Sequence, residues 1–214
     1  MKSPQAEANV VSRFEDWFEL DRLDSALATG DNPLPLFKQC LQAGNDVLRE
    51  QFAAGSGSTI LIHARAWLVD EILLRAWKRM HDDASDGMAL VAVGGYGRSE
   101  LMPGSDVDLL LLLPDDDAHR HDDDITGFLT FLWDIGLEVG HSVRNVSDCV
   151  EQSLADITVV TNLMEARLLA GSADLFVRMQ ESTSASKIWN SRDFFEAKFL
   201  EQRERHHKYH DTAY

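Results

Sequence analysis

The sequence predicts an α+β fold: a small mixed sheet flanked by helices, with helical segments at both ends. Three observations carry that prediction. Residues 59–80 repeat apolar side chains at helical spacing. Residues 88–93 and 107–113 are short, nearly continuous apolar runs bounded by glycine and proline. From Asp156 onward the helical spacing returns. Only one helix plainly separates successive strands, which favours α+β over a regular βα alternation.

The elements follow in order. Residues 7–29 are polar and acidic, with Phe14, Trp17, Phe18 and Leu23 near helical spacing. Residues 31–35 carry two prolines and read as a break. Residues 36–53 are predicted helical, with Phe37, Leu41, Val47 and Leu48 as the apolar face. Residues 55–58 form a loop, with Ser58 as the predicted N-cap of the next helix. Leu61, Ala64, Leu68 and Ile72 make the stripe of residues 59–80, widened by Ile60, Trp67 and Leu74. Residues 81–87 are a predicted turn, and 88–93 the first strand.

Residues 96–101 are a predicted short helix, stopped by Pro103 and Gly104. The five-leucine run within 107–113 marks a strand buried on both faces. Residues 115–124 are a predicted acidic loop and 125–135 a helix. Residues 137–144 alternate and read as a third strand. Helices are expected over 156–169, 173–182 and 191–212, with Gly171 ending the first of them. The predicted organisation is an N-terminal helical segment over 1–54, a core over 55–150 and a C-terminal helical segment over 151–214. The last helix meets no Gly or Pro stop, so a fragment of a longer protein is expected.

The chain has 214 residues and a net charge of −16. A protein that grips nucleic acid by its phosphates needs a basic face, and no Lys/Arg cluster suggests one. Cys40 and Cys149 lie far apart without metal-ligand spacing, which fits a reducing compartment. The N-terminus lacks the apolar stretch of a signal peptide. No apolar run approaches the roughly 20 residues that span a bilayer. A cytoplasmic protein with neither nucleic-acid nor membrane partner is expected.

The chemistry concentrates in residues 91–113. Asp106 and Asp108 sit at i and i+2 of a strand and so point to one side. Two ionised carboxylates this close repel, and a cation must offset them. Mg²⁺ suits them, with Mn²⁺ as its substitute: a hard ion that binds through one or two carboxylates plus substrate phosphates. Gly94 and Gly95 follow the preceding strand. Without side chains they let the backbone approach a phosphate and aim N–H groups at it. Ser105 offers a hydroxyl to the same phosphates, and Arg98 a positive charge. The alternative is a plain turn beside two solvated strand-edge aspartates.

Val93-Gly94-Gly95 followed ten residues later by Asp106-Val-Asp108-Leu resembles the signature of the DNA polymerase β-like nucleotidyltransferases. The longer tract Gly94-Gly-Tyr-Gly-Arg-Ser-Glu-Leu101, with Pro103 and Ser105–Leu109, is similar to the catalytic domain of bacterial PII uridylyltransferase/uridylyl-removing enzymes. Residues 65–70, 132–144 and 162–171 extend the resemblance over roughly 55–205. It implies a polymerase β-like fold and transfer of UMP from UTP to a tyrosine hydroxyl of the nitrogen-signalling protein PII, releasing pyrophosphate. It also implies that Asp106 and Asp108 hold the metal and that Gly94, Gly95 and Ser105 position the triphosphate.

The superfamily usually adds a third carboxylate on a later strand. In residues 137–144, alternation puts Glu138, Ser142 and Arg144 on one face, so Glu138 is the candidate third ligand or general base. Its alternative is a strand-edge glutamate paired with Arg144. Other acceptors or nucleotides, and a catalytically silent nucleotide-binding domain, remain as alternatives. The intact aspartate pair counts against the silent domain.

The remaining features read as structural. The aspartates of 115–117 and 122–124 suggest a solvated loop, and the histidines near 206–210 a helical surface. His141 suggests a core histidine, and Trp67, Trp77 and Trp133 suggest core packing. Asp70 and Arg65 are expected to pair with partners rather than catalyse. Glu165 and Arg167 are either helix-surface charges or reach the nucleotide.

Overall fold

A computed structural model describes residues 14–30, 32–80, 87–114 and 121–208. Three helices come first: α1 (Leu20–Ala28), α2 (Pro33–Ala53) and α3 (Ser58–Met80). Then follow β1 (Ala89–Ala92), the single turn α4 (Gly94–Gly97), β2 (Val107–Leu113), α5 (Asp122–Asp134) and β3 (Val139–Asn145). The last part holds α6 (Val146–Ala155), α7 (Ile157–Met164), β4 (Arg167–Gly171), α8 (Ala173–Ser182), α9 (Ala185–Ile188) and α10 (Ser191–Lys208). None of the described helices is long and apolar enough to cross a membrane.

The sheet is four-stranded in the order β3-β2-β1-β4. β1 runs antiparallel to both β2 and β4, whereas β2 and β3 are parallel. The predicted small mixed sheet flanked by helices is therefore present, in keeping with a polymerase β-like nucleotidyltransferase fold.

Both faces of β2 are covered, as its five leucines require. Leu109, Leu111 and Leu113 join a core with Phe37, Leu68, Ile72 and Phe128, supplied by α2, α3 and α5. Leu110 and Leu112 join a second core with Cys149, Leu163, Leu175 and Met179, supplied by α6, α7 and α8. Alternation along the strand sends successive leucines to opposite layers. Asp108 is the one exposed residue of β2. A polar residue there breaks an otherwise closed apolar strand where the two layers part.

Several boundaries differ from expectation. The expected break at 31–35 is instead a helix start. The Asn32 side chain accepts from the Leu34 N–H at 3.2 Å and Pro33 opens α2. Proline is tolerated there because the first-turn N–H groups have no helical partner anyway. Ser58 is the first residue of α3 rather than its cap. The Gly57 carbonyl accepts from the N–H groups of Ile60 and Leu61.

The predicted helix over 96–101 is only the turn Gly94–Gly97, three of whose four residues are glycines, which propagate a helix poorly, and Ser99 at φ +60 ends it. Asp122–Asp124 are not loop but the first turn of α5, where negative charge complements the helix dipole. The rest of the predicted loop, 115–120, lies outside the described residues, as do 1–13, 81–86 and 209–214.

Two misreadings lie near the C-terminal side. α6 was not expected, although Asn145 and Asp148 form a reciprocal capping box at its start. β4 falls where a helix was expected to run through residue 169. Arg167, Leu168, Leu169 and Ala170 are good helix formers, yet pairing with the otherwise open edge of β1 decides their state. Gly171, at φ +87, ends this strand and not a helix.

Candidate active site

The site forms where β1 hands over to α4 beside the N-terminal end of β2. The Val93 N–H donates to the Asp108 carbonyl at 3.1 Å, which ties the start of the glycine turn to the aspartate strand. Gly94 adopts φ +58, a conformation that penalises any side chain. A Cβ there would stand 3.5 Å from Asp108 Oδ2 and 3.7 Å from Asn162 Oδ1. The turn, the strand and α7 thus meet at one point, and Gly94 and Asp108 are brought together as their spacing suggested.

Asp108 also faces β3, where it pairs in register with Gly140. A Cβ at Gly140 would lie 2.8 Å from Asp108 Oδ1. A glycine inside a strand signals close approach by another group, and here that group is the carboxylate. Gly140→Ala is expected to displace the Asp108 carboxylate with little effect on stability, because the clashing atom is a movable side-chain end. Any catalysed step that uses this carboxylate should slow by about tenfold to a hundredfold, since misplacing a reacting group by ~1 Å costs this much. A thermal midpoint near wild type together with the rate loss checks it.

Burial pushes the Asp108 carboxyl above the usual carboxylate range, and the neighbouring charge of Asp106 adds to the rise. Among the described residues no Lys, Arg or His side chain pairs with either carboxylate. Two crowded, uncompensated carboxylates fit a hard divalent cation.

Glu138 lies beside Asp106 in a shallow groove with Trp133 and Leu137, and its charge reaches Arg65. No ion pair joins it to Arg144 among the described residues. The described residues hold no cluster of three or more His, Cys, Asp or Glu able to bind a metal, so Glu138 does not form such a set with the aspartates here. Ser105 is exposed on the turn before β2, with its N–H donating to the Met102 carbonyl at 3.1 Å. Gly95 follows Gly94 in α4. Arg98 is engaged by two carboxylates, Glu100 at 3.0 Å and Glu165, so much of its charge is already answered within the chain.

A clamp behind the glycine turn has no local sequence signal. Asp70 of α3 accepts from Tyr96 Oη at 2.6 Å and from both Arg167 terminal nitrogens at 2.9 and 3.1 Å. Arg167 also donates to the carbonyls of Tyr96 and Gly97, each at 3.2 Å, and its guanidinium lies 5.6 Å from the Tyr96 ring centre. Burial, then Asp70, pushes the Tyr96 hydroxyl well above its ordinary range, so it stays a donor. Asp70 pairs as expected. Arg167 is neither a helix-surface charge nor free for nucleotide. Gly97 completes the contact: a Cβ there would come within 2.1 Å of the Glu165 carbonyl.

Two expected core residues are not core. His141 is exposed, because β3 is the sheet's edge strand. Trp133 is 48% exposed and packs edge-on to His141 with ring centres 5.7 Å apart. Trp67 and Trp77 do pack, the latter against Phe128.

Residues 42–142 match the family described as Putative nucleotidyltransferase DUF294. The bifunctional uridylyltransferase/uridylyl-removing enzyme of Pseudomonas putida is 51% identical over 197 residues, covering 92% of this chain. Those of Pseudomonas syringae pv. syringae and Azotobacter vinelandii are each 49% identical over 199 residues, covering 93% of the chain. Over these residues the chain is strongly similar to one part of these bifunctional enzymes. It spans 22% of the length of these curated relatives. This similarity supports a divalent-cation cofactor in general terms, which agrees with the uncompensated aspartate pair.

Proposed function

We propose that this chain is the nucleotidyltransferase part of a cytoplasmic enzyme that moves UMP from UTP to a tyrosine hydroxyl of the PII signalling protein. Identity near 50% to enzymes named for uridylyl transfer carries the choice of reaction. The meeting of the Gly94 turn with Asp108 of β2, two residues after Asp106, supports its chemistry. Nucleic acid and membrane have no part in it.

Asp106 and Asp108 hold Mg²⁺, or Mn²⁺ in its place. When bound, the ion neutralises triphosphate charge and polarises the phosphorus under attack. Gly94 and Gly95 admit the phosphates to the backbone and present N–H groups that the short turn leaves without internal partners. Ser105 adds a hydroxyl, and Arg98 a charge at the rim. Glu138 takes the proton as the acceptor oxygen bonds to the α-phosphorus. The bond to the pyrophosphate oxygen breaks on the opposite side. Positioning and charge neutralisation supply most of the rate in such transfers.

The test incubates the chain with Mg²⁺, PII and each labelled nucleoside triphosphate in turn. Label from UTP on a PII tyrosine is the expected result. Label from ATP alone, or none on PII while the longer protein modifies another acceptor, overturns the reading.

A further inference from the structure

The cleft beside Asp108 has a second wall that this chemistry does not use. Asp108, Val93, Gly140, Ser142, Arg144 and Asn162 line one cavity. The register of β2 on β3 pairs Asp108 with Gly140, Leu110 with Ser142 and Leu112 with Arg144. Paired residues share a face of the sheet, so Ser142 and Arg144 stand on the Asp108 side. Asn162 reaches the same space from α7. A guanidinium, a hydroxyl and an amide therefore converge on it. None of these three side chains has a hydrogen bond or ion pair within the described residues.

The contrast with Arg98 is informative. Arg98 is exposed and opposed by two carboxylates. Arg144 is half-buried and has no ion-pair partner among the described residues, in a chain of net charge −16. Partial burial of an unpaired charge is costly, and a planar guanidinium matches phosphate oxygens better than a point charge does. Arg144 lies four residues beyond Gly140, roughly 13 Å along the strand at about 3.3 Å per residue. Arg144 and Asp108 line the same cavity, and that separation leaves room for a polyphosphate between them.

We propose that Arg144, with Ser142 and Asn162, forms the polyphosphate subsite of this cleft and donates to the β- and γ-phosphate oxygens of the nucleoside triphosphate. The proposal rests on the nucleotidyl-transfer reading and adds the residues that hold the leaving pyrophosphate.

The test measures equilibrium binding of UTP and of inorganic tripolyphosphate, each with Mg²⁺, to the whole chain and its variants. Arg144→Ala should weaken both by about tenfold or more, and Arg144→Lys by less. In transfer assays the KM for UTP should rise more than kcat falls. Wild-type affinity in Arg144→Ala overturns the subsite and leaves the transfer reading intact. A wild-type chain that binds neither ligand and transfers nothing overturns both. Should Arg144→Ala lose its circular dichroism signal, Arg144→Lys and Ser142→Ala decide the matter. Each should weaken tripolyphosphate at an unchanged thermal midpoint, and unchanged affinity overturns the proposal.

Discussion

Asp108→Asn is expected to abolish nucleotidyl transfer and, in metal-free buffer at neutral pH, to raise the thermal midpoint. The two effects share one cause. Burial and Asp106 hold the Asp108 carboxyl above its ordinary range, so ionising it works against the fold. A carboxyl whose folded pKa is raised favours the folded state when protonated. That contribution is lost as pH rises through the folded pKa. Above it, the charge repels Asp106 until a cation is bound. Asparagine keeps the shape and removes the charge.

The metal-free wild-type chain should therefore gain stability on mild acidification, and Asp108→Asn should lack that gain. Adding Mg²⁺ or Mn²⁺ should stabilise wild type, since a ligand that binds only the folded state must, and should leave the variant unmoved. The transfer rate should fall by roughly a thousandfold, because several kcal/mol of charge stabilisation leave with the ligand. Asp106→Asn should lose transfer likewise. Wild-type turnover in either variant would refute the metal assignment.

Arg167→Ala is expected to give the largest loss of stability among single changes at the site. It strips Asp70 of a bidentate partner, removes the Arg167 donor from the Gly97 carbonyl, and leaves the Tyr96 carbonyl with the Ser99 N–H. The side chains of Asp70 and Arg167 are 15% and 31% exposed, so solvent screens the loss only in part. Breaking a buried pair by removing one partner costs about 3–5 kcal/mol, and partial exposure lowers this to about 2–4 kcal/mol. Arg167→Lys keeps the charge but not the fork geometry and should recover only part of it. Urea denaturation reads both. A midpoint for Arg167→Ala equal to wild type would show that the clamp does not hold the turn.

The legibility of this protein differs sharply between its parts. β2 was readable to the residue, because five consecutive leucines leave no polar face and only a strand covered on both sides accommodates them. The long helix α3 was readable from its stripe. β4 was not, because its residues favour helix locally and only the open edge of β1 makes them a strand. The aspartate pair and the glycines announced themselves by spacing. Alternation placed Ser142 and Arg144 on one face, but not Asn162 beside them, since a strand and a helix must first fold over one another before their polar ends share a space.

Local order determined the strand that carries Asp108, with Asp106 just before it, the turn that carries Gly94, and the chemistry their residue types permit. Those facts depend on periods of two and of about 3.6 residues, which neighbouring side chains impose by themselves. Tertiary structure alone decided what stands behind and beside the site. Asp70 and Arg167 meet across 97 residues of chain, Gly140 is bare because a carboxylate needs its space, and Arg98 is spent on two glutamates. Such contacts are set by which layers the sheet brings together, and that is a property of the whole fold's packing.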